Sequence, residues 1–260
     1  MKKILLACDL DNTLLHSHRR RQADSVCVER LEGREQSFLS PGACSLLRRA
    51  IRETLFVPVT TRSVEQYQRI QWPEGCAPAW AAAANGAVLL QNGIGDTPWQ
   101  EESLEAVRRC RAELGRLSAL LTREKNFRVC RMVDGMYLFA SFESETLAAA
   151  QAEQYRGKTP LTVLASGRKL YFFPPGLDKG RAVLRLRKRL SAEQVVCAGD
   201  SVIDLPMLCA AQAAVVPDES LGKQVDAPVV HVCGPGEDFA RFVLETALAY
   251  QSEKERTLLK

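Results

Sequence analysis

Short apolar runs alternate along this chain with longer segments whose apolar residues recur every three or four positions, the patterns of strands and helices. Residues 3–8 are apolar without polar alternation, which is typical of a central strand buried on both faces of a sheet. Residues 55–59 and 79–84 repeat this pattern. Between the runs at 3–8 and 55–59, Ser40 is predicted to cap a helix that has Pro41 in its first turn. This strand–helix alternation predicts a parallel sheet.

The pattern changes near residue 89, where paired strands replace the strand–helix alternation. The segments are a helix at 99–121, a hairpin at 127–142 around Asp134-Gly135, a helix at 143–155 and a strand pair at 161–173. Strand–helix alternation then resumes up to a closing helix at 237–250. We therefore expect an α/β fold with a Rossmann-like parallel-sheet core, residues 1–88 and 174–260, and an inserted α+β cap domain, residues 89–173.

Composition narrows the class of protein without identifying it. Hydrophobic residues make up 46% and charged residues 25%, and the net charge of +4 is too small to favour nucleic acid as a partner. The nine cysteines include no CxxC pair, which predicts free thiols in a reducing compartment. No apolar run approaches the roughly 20 residues of a membrane span. We expect a cytoplasmic protein without a membrane partner, and the sequence does not indicate its oligomeric state.

Polar side chains follow several of the predicted strands, at the point where each strand ends. Ligands of open parallel sheets bind beyond these carboxyl ends, so the side chains are expected to lie close together. A lysine also opens the helix that follows the inserted block. The residues concerned are Asp9 and Asp11, Thr60, Asn85, Lys179, and Asp200 and Asp204.

This set of residue types suits phosphoryl transfer from a phosphate monoester. A divalent cation between Asp9 and Asp200, together with Lys179, would neutralise the phosphate, which otherwise repels a carboxylate nucleophile. A hydroxyl from Thr60 would bind a phosphate oxygen. Asp11 would protonate the leaving alcohol and later activate water. That role requires a pKa for Asp11 raised relative to that of Asp9.

Four segments resemble, in order, the four motifs of the haloacid dehalogenase (HAD) superfamily: DLDNTLL, VTTR, LDKG and GDSVIDLPML. The segment Asn85-Gly86-Ala87 also resembles the NGA sequence that precedes the cap in one branch of that superfamily. In this branch the cap is inserted between the second and third motifs, and it includes Cof-type phosphatases, sucrose-phosphate phosphatase and mannosyl-3-phosphoglycerate phosphatase. The resemblance implies a HAD-type phosphatase acting on a sugar phosphate or similar small phosphorylated metabolite.

The resemblance also implies roles for individual residues. Asp9 is implied as the nucleophile and Asp11 as the acid/base, and Mg²⁺ as the cofactor. Two positions depart from the family pattern, Thr61 where glycine is usual and Ile203 where asparagine is usual. The implied Mg²⁺ ligands are Asp9, the backbone carbonyl of Asp11, and Asp200, with Asp204 in support, and the implied phosphate ligands are Thr60 and Lys179. Further candidate phosphate or substrate ligands are Thr61, Arg62 and Asn85.

Other interpretations of the sequence stay open. Arg62 is equally suited to pairing with a carboxylate, Asn85 to shaping a turn, and Thr60 to capping a strand end. Asp200 and Asp204 are also residue types that cap helices. For the whole protein, a phosphomannomutase-like phosphosugar mutase uses the same aspartyl-phosphate, and a non-catalytic binding protein on the same fold is a further alternative.

Overall fold

The computed structural model describes residues 3–123 and 127–258. The strands in that part of the chain are β1 Leu5–Cys8, β2 His16–Ser17, β3 Val26–Leu31, β4 Arg34–Leu39, β5 Leu55–Pro58, β6 Trp80–Ala83, β7 Val88–Gln91, β8 Ile94–Gly95, β9 Phe127–Val133, β10 Tyr137–Phe142, β11 Thr162–Ser166, β12 Lys169–Phe173, β13 Val195–Ala198, β14 Ala213–Val216 and β15 Val229–Val232. The helices are α1 Ala43–Glu53, α2 Val64–Gln68, α3 Thr97–Arg123, α4 Glu145–Tyr155, α5 Lys179–Arg189, α6 Leu205–Cys209, α7 Glu219–Gly222 and α8 Phe239–Leu258.

A five-stranded parallel sheet forms the centre of the molecule, in the order β15-β14-β13-β1-β5. Every residue of β1 and β13 is buried, as their uninterrupted apolar sequences predict. Ile4 and Leu6 pack into the core layer that holds α1 and α8, while Leu5 and Ala7 pack into the layer that holds α5 and α6. Helices on both faces of a parallel sheet confirm the predicted α/β fold class.

Strand β6 does not join the parallel sheet, although its apolar sequence suggested a third parallel strand. It pairs antiparallel with β7 in a separate three-stranded sheet. Just after β5, a parallel bridge joins Val59 to Ala82, and the Thr60 N–H donates to the Ala82 carbonyl at 2.9 Å. The N–H groups of Leu55 and Val59 point toward β1, so residue 58 faces the outer edge. Residue 58 is a proline and lacks the donor that a neighbouring strand needs.

A second small sheet, β2-β4-β3, precedes α1. Strand β3 is bulged on both sides of Glu29, and Val28 and Glu29 are therefore both buried although successive strand residues normally face opposite sides. The bulge turns the Glu29 carboxylate inward, toward the end of β5.

The inserted segment carries a four-stranded antiparallel sheet, β11-β12-β10-β9. One face of this sheet, which includes the fully buried Leu138, Leu170 and Phe172, packs in the same core layer as apolar residues of α3 and α4. The other face carries Phe139 and Tyr171, which are paired across β10 and β12. We refer to this second face as the aromatic face of the cap sheet.

Two serines near the starts of helices have different roles. Ser63 begins α2 through a capping box with Gln66. Ser40 does not cap α1; its hydroxyl donates to the Asp238 carboxylate at 2.9 Å, and Gly42, with φ 77°, precedes the helix. That left-handed conformation favours glycine, and it delays the start of α1 to Ala43.

The division into core and cap stays a prediction. Its first boundary, at 88/89, falls within β7. Trp99 of α3 lies under the Arg185 guanidinium of α5, at 3.6 Å from the ring centre.

The last helix continues to Leu258 rather than ending near residue 250. Among the described residues, no helix combines the length and apolar character that crossing a membrane requires.

Candidate active site

The ends of β1 and β13 bring two acidic segments together. These strands are parallel neighbours, and the Asp9 N–H donates to the Ala198 carbonyl at 2.9 Å. Asp200 follows two residues after Ala198, and ligand oxygens of Asp9, Asp200 and Asp204 lie within 4.8 Å of one another. The Thr13 hydroxyl sits between two of them, 3.5 Å from Asp9 Oδ2 and 3.4 Å from Asp200 Oδ1.

Lys179, the first residue of α5, supplies a buried cation to this cluster. Its Nζ donates to Asp9 Oδ1 at 2.5 Å and to Asp204 Oδ1 at 2.6 Å, and the side chain is only 1% exposed. Burial alone would lower the pKa of Lys179, but the two carboxylates outweigh it and raise the pKa. Lys179 therefore stays protonated and holds a positive charge against Asp9.

Asp204 is held in place by the turn that precedes it. Its Oδ2 accepts hydrogen bonds from the backbone N–H of Asp200, from the N–H of Ser201 and from the Ser201 hydroxyl. A Cβ at Gly199 would lie 2.4 Å from the Asp204 Cβ, so only glycine fits there. Asp204 thus links Lys179 to the Asp200 turn, and its side chain does not cap α6, which was the alternative interpretation.

The charges of this cluster suit a hard divalent cation. Burial first, and the neighbouring carboxylates second, raise the pKa of Asp200 to about 6. Burial also raises the pKa of Asp9 well above its ordinary value, although Lys179 partly offsets the rise. Three carboxylates facing one ammonium leave excess negative charge, and carboxylate oxygens are the ligands that Mg²⁺ prefers. The residues present therefore fit the implied metal.

Asp11 lies beside this cluster in a different environment. Arg62 holds it through two hydrogen bonds, Nη2 to Oδ1 at 2.7 Å and Nε to Oδ2 at 3.0 Å. Burial would raise the pKa of Asp11, but the Arg62 guanidinium outweighs burial and lowers it. This corrects the prediction that the pKa of Asp11 is raised relative to that of Asp9, because the order in the resting protein is the reverse.

Arg62 is buried between carboxylates, which is one of the two interpretations left open for it. Its Nη1 donates to Glu29 Oε2 at 2.8 Å, and the Ser37 hydroxyl donates to the same oxygen at 2.6 Å. Arg69 approaches the other Glu29 oxygen at 3.3 Å. The β3 bulge thus supplies the carboxylate that anchors Arg62, a role that the sequence did not reveal because Glu29 lies outside every motif.

The three remaining predicted ligands differ in their surroundings. Thr61 lines the cavity above Asp9, whereas Thr60 is fully buried and its Oγ1 accepts from the Arg62 N–H at 3.1 Å. Asn85 is buried, and its Nδ2 donates to the Leu177 carbonyl at 3.3 Å. At φ 60° Asn85 shapes the turn after β6, so this geometry favours the structural interpretations of Thr60 and Asn85.

Two adjoining cavities open above these residues. The catalytic cavity, of about 370 Å³, contains Asp9, Lys179 and Asp200 at its base. The second cavity, of about 320 Å³, extends between Arg62 and the aromatic face of the cap sheet. The four residues that line both cavities, and so mark the passage between them, are Asp11, Thr61, Lys169 and Tyr171.

Comparisons with known proteins agree with this geometry. Residues 2–226 match the family described as sucrose-6F-phosphate phosphohydrolase. Among curated proteins, no sequence matches the chain.

Several solved structures share the fold. The sucrose-phosphatase of Synechocystis sp. PCC6803, in complex with sucrose and phosphate, is 18% identical with a TM-score of 0.67, over 97% of this chain and 99% of that one. A haloacid dehalogenase-like hydrolase from B. subtilis is 18% identical with a TM-score of 0.59, over 95% and 99%. The C-terminal domain of C. albicans trehalose-6-phosphate phosphatase is 14% identical with a TM-score of 0.56, over 96% and 92%. At these identities the likeness shows the fold.

Proposed function

The chain belongs to the sucrose-6F-phosphate phosphohydrolase family and is a HAD-type phosphatase, and from this premise we propose that it hydrolyses a sugar phosphate through an aspartyl-phosphate on Asp9. The observation that carries the proposal is the contact of Asp9 with Lys179, in a cluster whose carboxylates suit Mg²⁺. The name of the matching family and the sugar-phosphate phosphatases among the similar structures support a phosphorylated sugar as substrate.

Asp9 is the nucleophile in this mechanism. The Asp9 carboxylate oxygen that does not accept from Lys179 attacks phosphorus, and the bond from phosphorus to the leaving oxygen breaks. Lys179 stays charged and offsets the charge of the phosphoryl group throughout, while Thr61 lines the cavity where that group binds. A Mg²⁺ ion held by Asp9, Asp200 and the Asp11 backbone carbonyl, with Asp204 in support, would supply Lewis-acid stabilisation of the phosphoryl oxygens.

Asp11 transfers the protons in both steps. In the resting protein its lowered pKa keeps it ionised, held by Arg62. A phosphate dianion bound beside it raises that pKa, since like charges disfavour the ionised form. Asp11 then donates a proton to the leaving oxygen. In the second step the ionised Asp11 takes a proton from water, which attacks phosphorus and releases Asp9.

Replacement of the nucleophile tests the proposal. We expect Asp9→Asn to abolish Mg²⁺-dependent phosphate release from sugar phosphates, because an amide cannot form the acyl-phosphate. Unchanged release in this variant, with an unfolding curve like that of the wild type, would contradict the mechanism. Chromatography of the products separates the two enzyme classes, since a mutase returns an isomerised sugar phosphate whereas a phosphatase returns free sugar and phosphate.

A further inference from the structure

The second cavity contains more cations than anions. Its charged lining residues are four cations, Arg62, Arg69, Arg131 and Lys169, and two carboxylates, Asp11 and Glu29. Three of these cations line the second cavity alone, whereas Lys169 also lines the passage to the catalytic cavity. Asp11, the residue assigned to protonate the leaving oxygen, lines the same passage, so the second cavity is within reach of a leaving group.

The two arginines from the core are already paired. Arg62 contacts Asp11 at 2.7 Å and Glu29 at 2.8 Å, and Arg69 contacts Glu29 and Glu65, each at 3.3 Å. These contacts neutralise both carboxylates that line the second cavity. The positive charge in excess therefore belongs to Arg131 and Lys169, which come from the cap sheet.

Neither cap cation has an ion-pair partner within 4.0 Å among residues 3–123 and 127–258. Strand register places Arg131 opposite Phe139, and Phe139 opposite Tyr171. Lys169 precedes Tyr171 by two residues, so it shares the aromatic face of the cap sheet. Two cations without an ion-pair partner among the described residues thus flank a surface of rings that line the second cavity.

We propose that Lys169 and Arg131 bind a second negative charge on the leaving group of the substrate, a carboxylate or another phosphate. This inference rests on the proposed phosphatase activity and narrows its substrate class, since the leaving group of a neutral sugar ester offers these cations hydroxyl acceptors but no negative charge. Cations on a preformed surface recognise carboxylate and phosphate oxygens through charge-assisted hydrogen bonds, while ring faces contact the carbon skeleton. Lys169 lines the passage between the cavities together with Asp11, the residue assigned to protonate the leaving oxygen.

Matched pairs of esters test the proposal. One arm adds a carboxylate, with 6-phosphogluconate against glucose 6-phosphate and 3-phosphoglycerate against glycerol 3-phosphate. The other arm adds a phosphate, with fructose 1,6-bisphosphate against fructose 6-phosphate. We expect at least one arm to favour the charged member by roughly 10- to 100-fold in kcat/KM, the range of a charge-assisted contact. Equal or better turnover of the neutral members in both arms would overturn the proposal.

Variants distinguish a contact with the leaving group from a contact with the transferred phosphoryl group. Lys169→Met and Arg131→Met are expected to lower kcat/KM for the preferred charged esters by more than they lower it for the neutral esters, so that the preference shrinks. Lys169→Arg should retain part of the preference. An equal loss for all esters would mean that Lys169 binds the phosphoryl group, which overturns the proposal. Lys158→Met, an exposed cap position, removes one charge elsewhere and should preserve the preference.

Direct binding separates failure of this inference from failure of the proposed function. Calorimetry on the Asp9→Asn variant measures the affinity for the intact esters without turnover. Tighter binding of the charged members, lost on adding Lys169→Met, supports the proposal even if the wild type releases no phosphate. Equal affinity for charged and neutral members contradicts it, whatever the activity.

Discussion

At Asp9 and Asp11, two carboxylates separated by a single residue, the surroundings move the pKa in opposite directions. Asp9 is buried against other carboxylates, and burial dominates. Asp11 keeps 42% of its side chain exposed and is held on two sides by Arg62. The pKa values of the two aspartates therefore differ because their partners differ, and a bound phosphate has to raise the pKa of Asp11 before it can donate a proton.

The lowered pKa of Asp11 predicts how stability depends on pH. A carboxyl group whose folded pKa lies below its unfolded value, about 3.9, stabilises the folded state above that value and loses this contribution as the pH falls through the folded pKa. We expect the Tm of Asp11→Asn to fall less than that of the wild type between about pH 5 and pH 3. Thermal unfolding across this range measures the difference. Parallel curves would show that the Arg62 contact does not stabilise the fold.

The sequence predicted that Asp9, Lys179 and Asp200 come together. It did not predict that backbone groups hold Thr60 and Asn85 instead, and it missed the residues that reach the site from elsewhere. Parallel pairing of β1 and β13 was sufficient to place Asp9 beside Asp200, because neighbouring parallel strands end at one edge. Glu29 depends on a bulge, and Lys169 on how the inserted sheet packs over the core. Neither the bulge nor the packing of the inserted sheet over the core can be recognised in the amino-acid sequence.

Among the structural elements, the β9–β10 hairpin contacts the segment that follows β5. At its end, the Tyr137 hydroxyl donates to the Thr61 carbonyl at 2.5 Å. The Asp134 carboxylate accepts from the Val64 N–H, at the start of α2, at 2.8 Å. The hairpin thus holds the loop that follows β5, in which Thr61 lines both cavities.

Removal of the Tyr137 hydroxyl is expected to loosen this contact. Tyr137→Phe leaves the Thr61 carbonyl without that donor, at a cost of about 1 kcal/mol, the net value of one hydrogen bond. If the contact positions substrate, KM rises by about five-fold with little change in kcat. Steady-state kinetics measure both constants. A variant with lower Tm but unaltered KM would assign the contact to stability alone.

The elements themselves were largely predictable, and their partners less so. The turn Asp134-Gly135 predicted the β9–β10 hairpin because both residues adopt positive φ. Apolar content predicted strand β6 but not its sheet, since a short buried run is the same in parallel and antiparallel surroundings. Ser40 has the right residue type for a cap, yet a contact with Asp238, far along the chain, fixes its side chain instead.

In the whole molecule, charge is divided between the two sides of the cavities. The core supplies the acidic cluster at the end of the parallel sheet, and the cap sheet supplies Lys169 and Arg131. A cation bound at the cluster joins segments that are far apart in sequence, from residue 9 to residue 204. Its binding should therefore stabilise the entire fold.

Mg²⁺ is expected to raise the thermal stability of the protein. A ligand that binds the folded state alone adds about 2.7 kcal/mol at a concentration one hundred times its Kd. Asp200→Asn should lose most of this effect, and its Tm without metal should equal or exceed that of the wild type because repulsion within the cluster is relieved. Differential scanning fluorimetry with and without Mg²⁺ tests both statements. An equal Mg²⁺ response in the variant would place the ion elsewhere.

Pro58 has a consequence for the behaviour of the molecule in a crowded solution. The outer border of β5 offers few hydrogen-bond donors, because Pro58 has none and the N–H of Thr60 is taken by Ala82. Strand β6 already lies along this border, through the parallel bridge between Val59 and Ala82, so a strand from another copy of the chain cannot reach it. Although β6 belongs to a different sheet, it closes this side of the parallel sheet to edge-to-edge association.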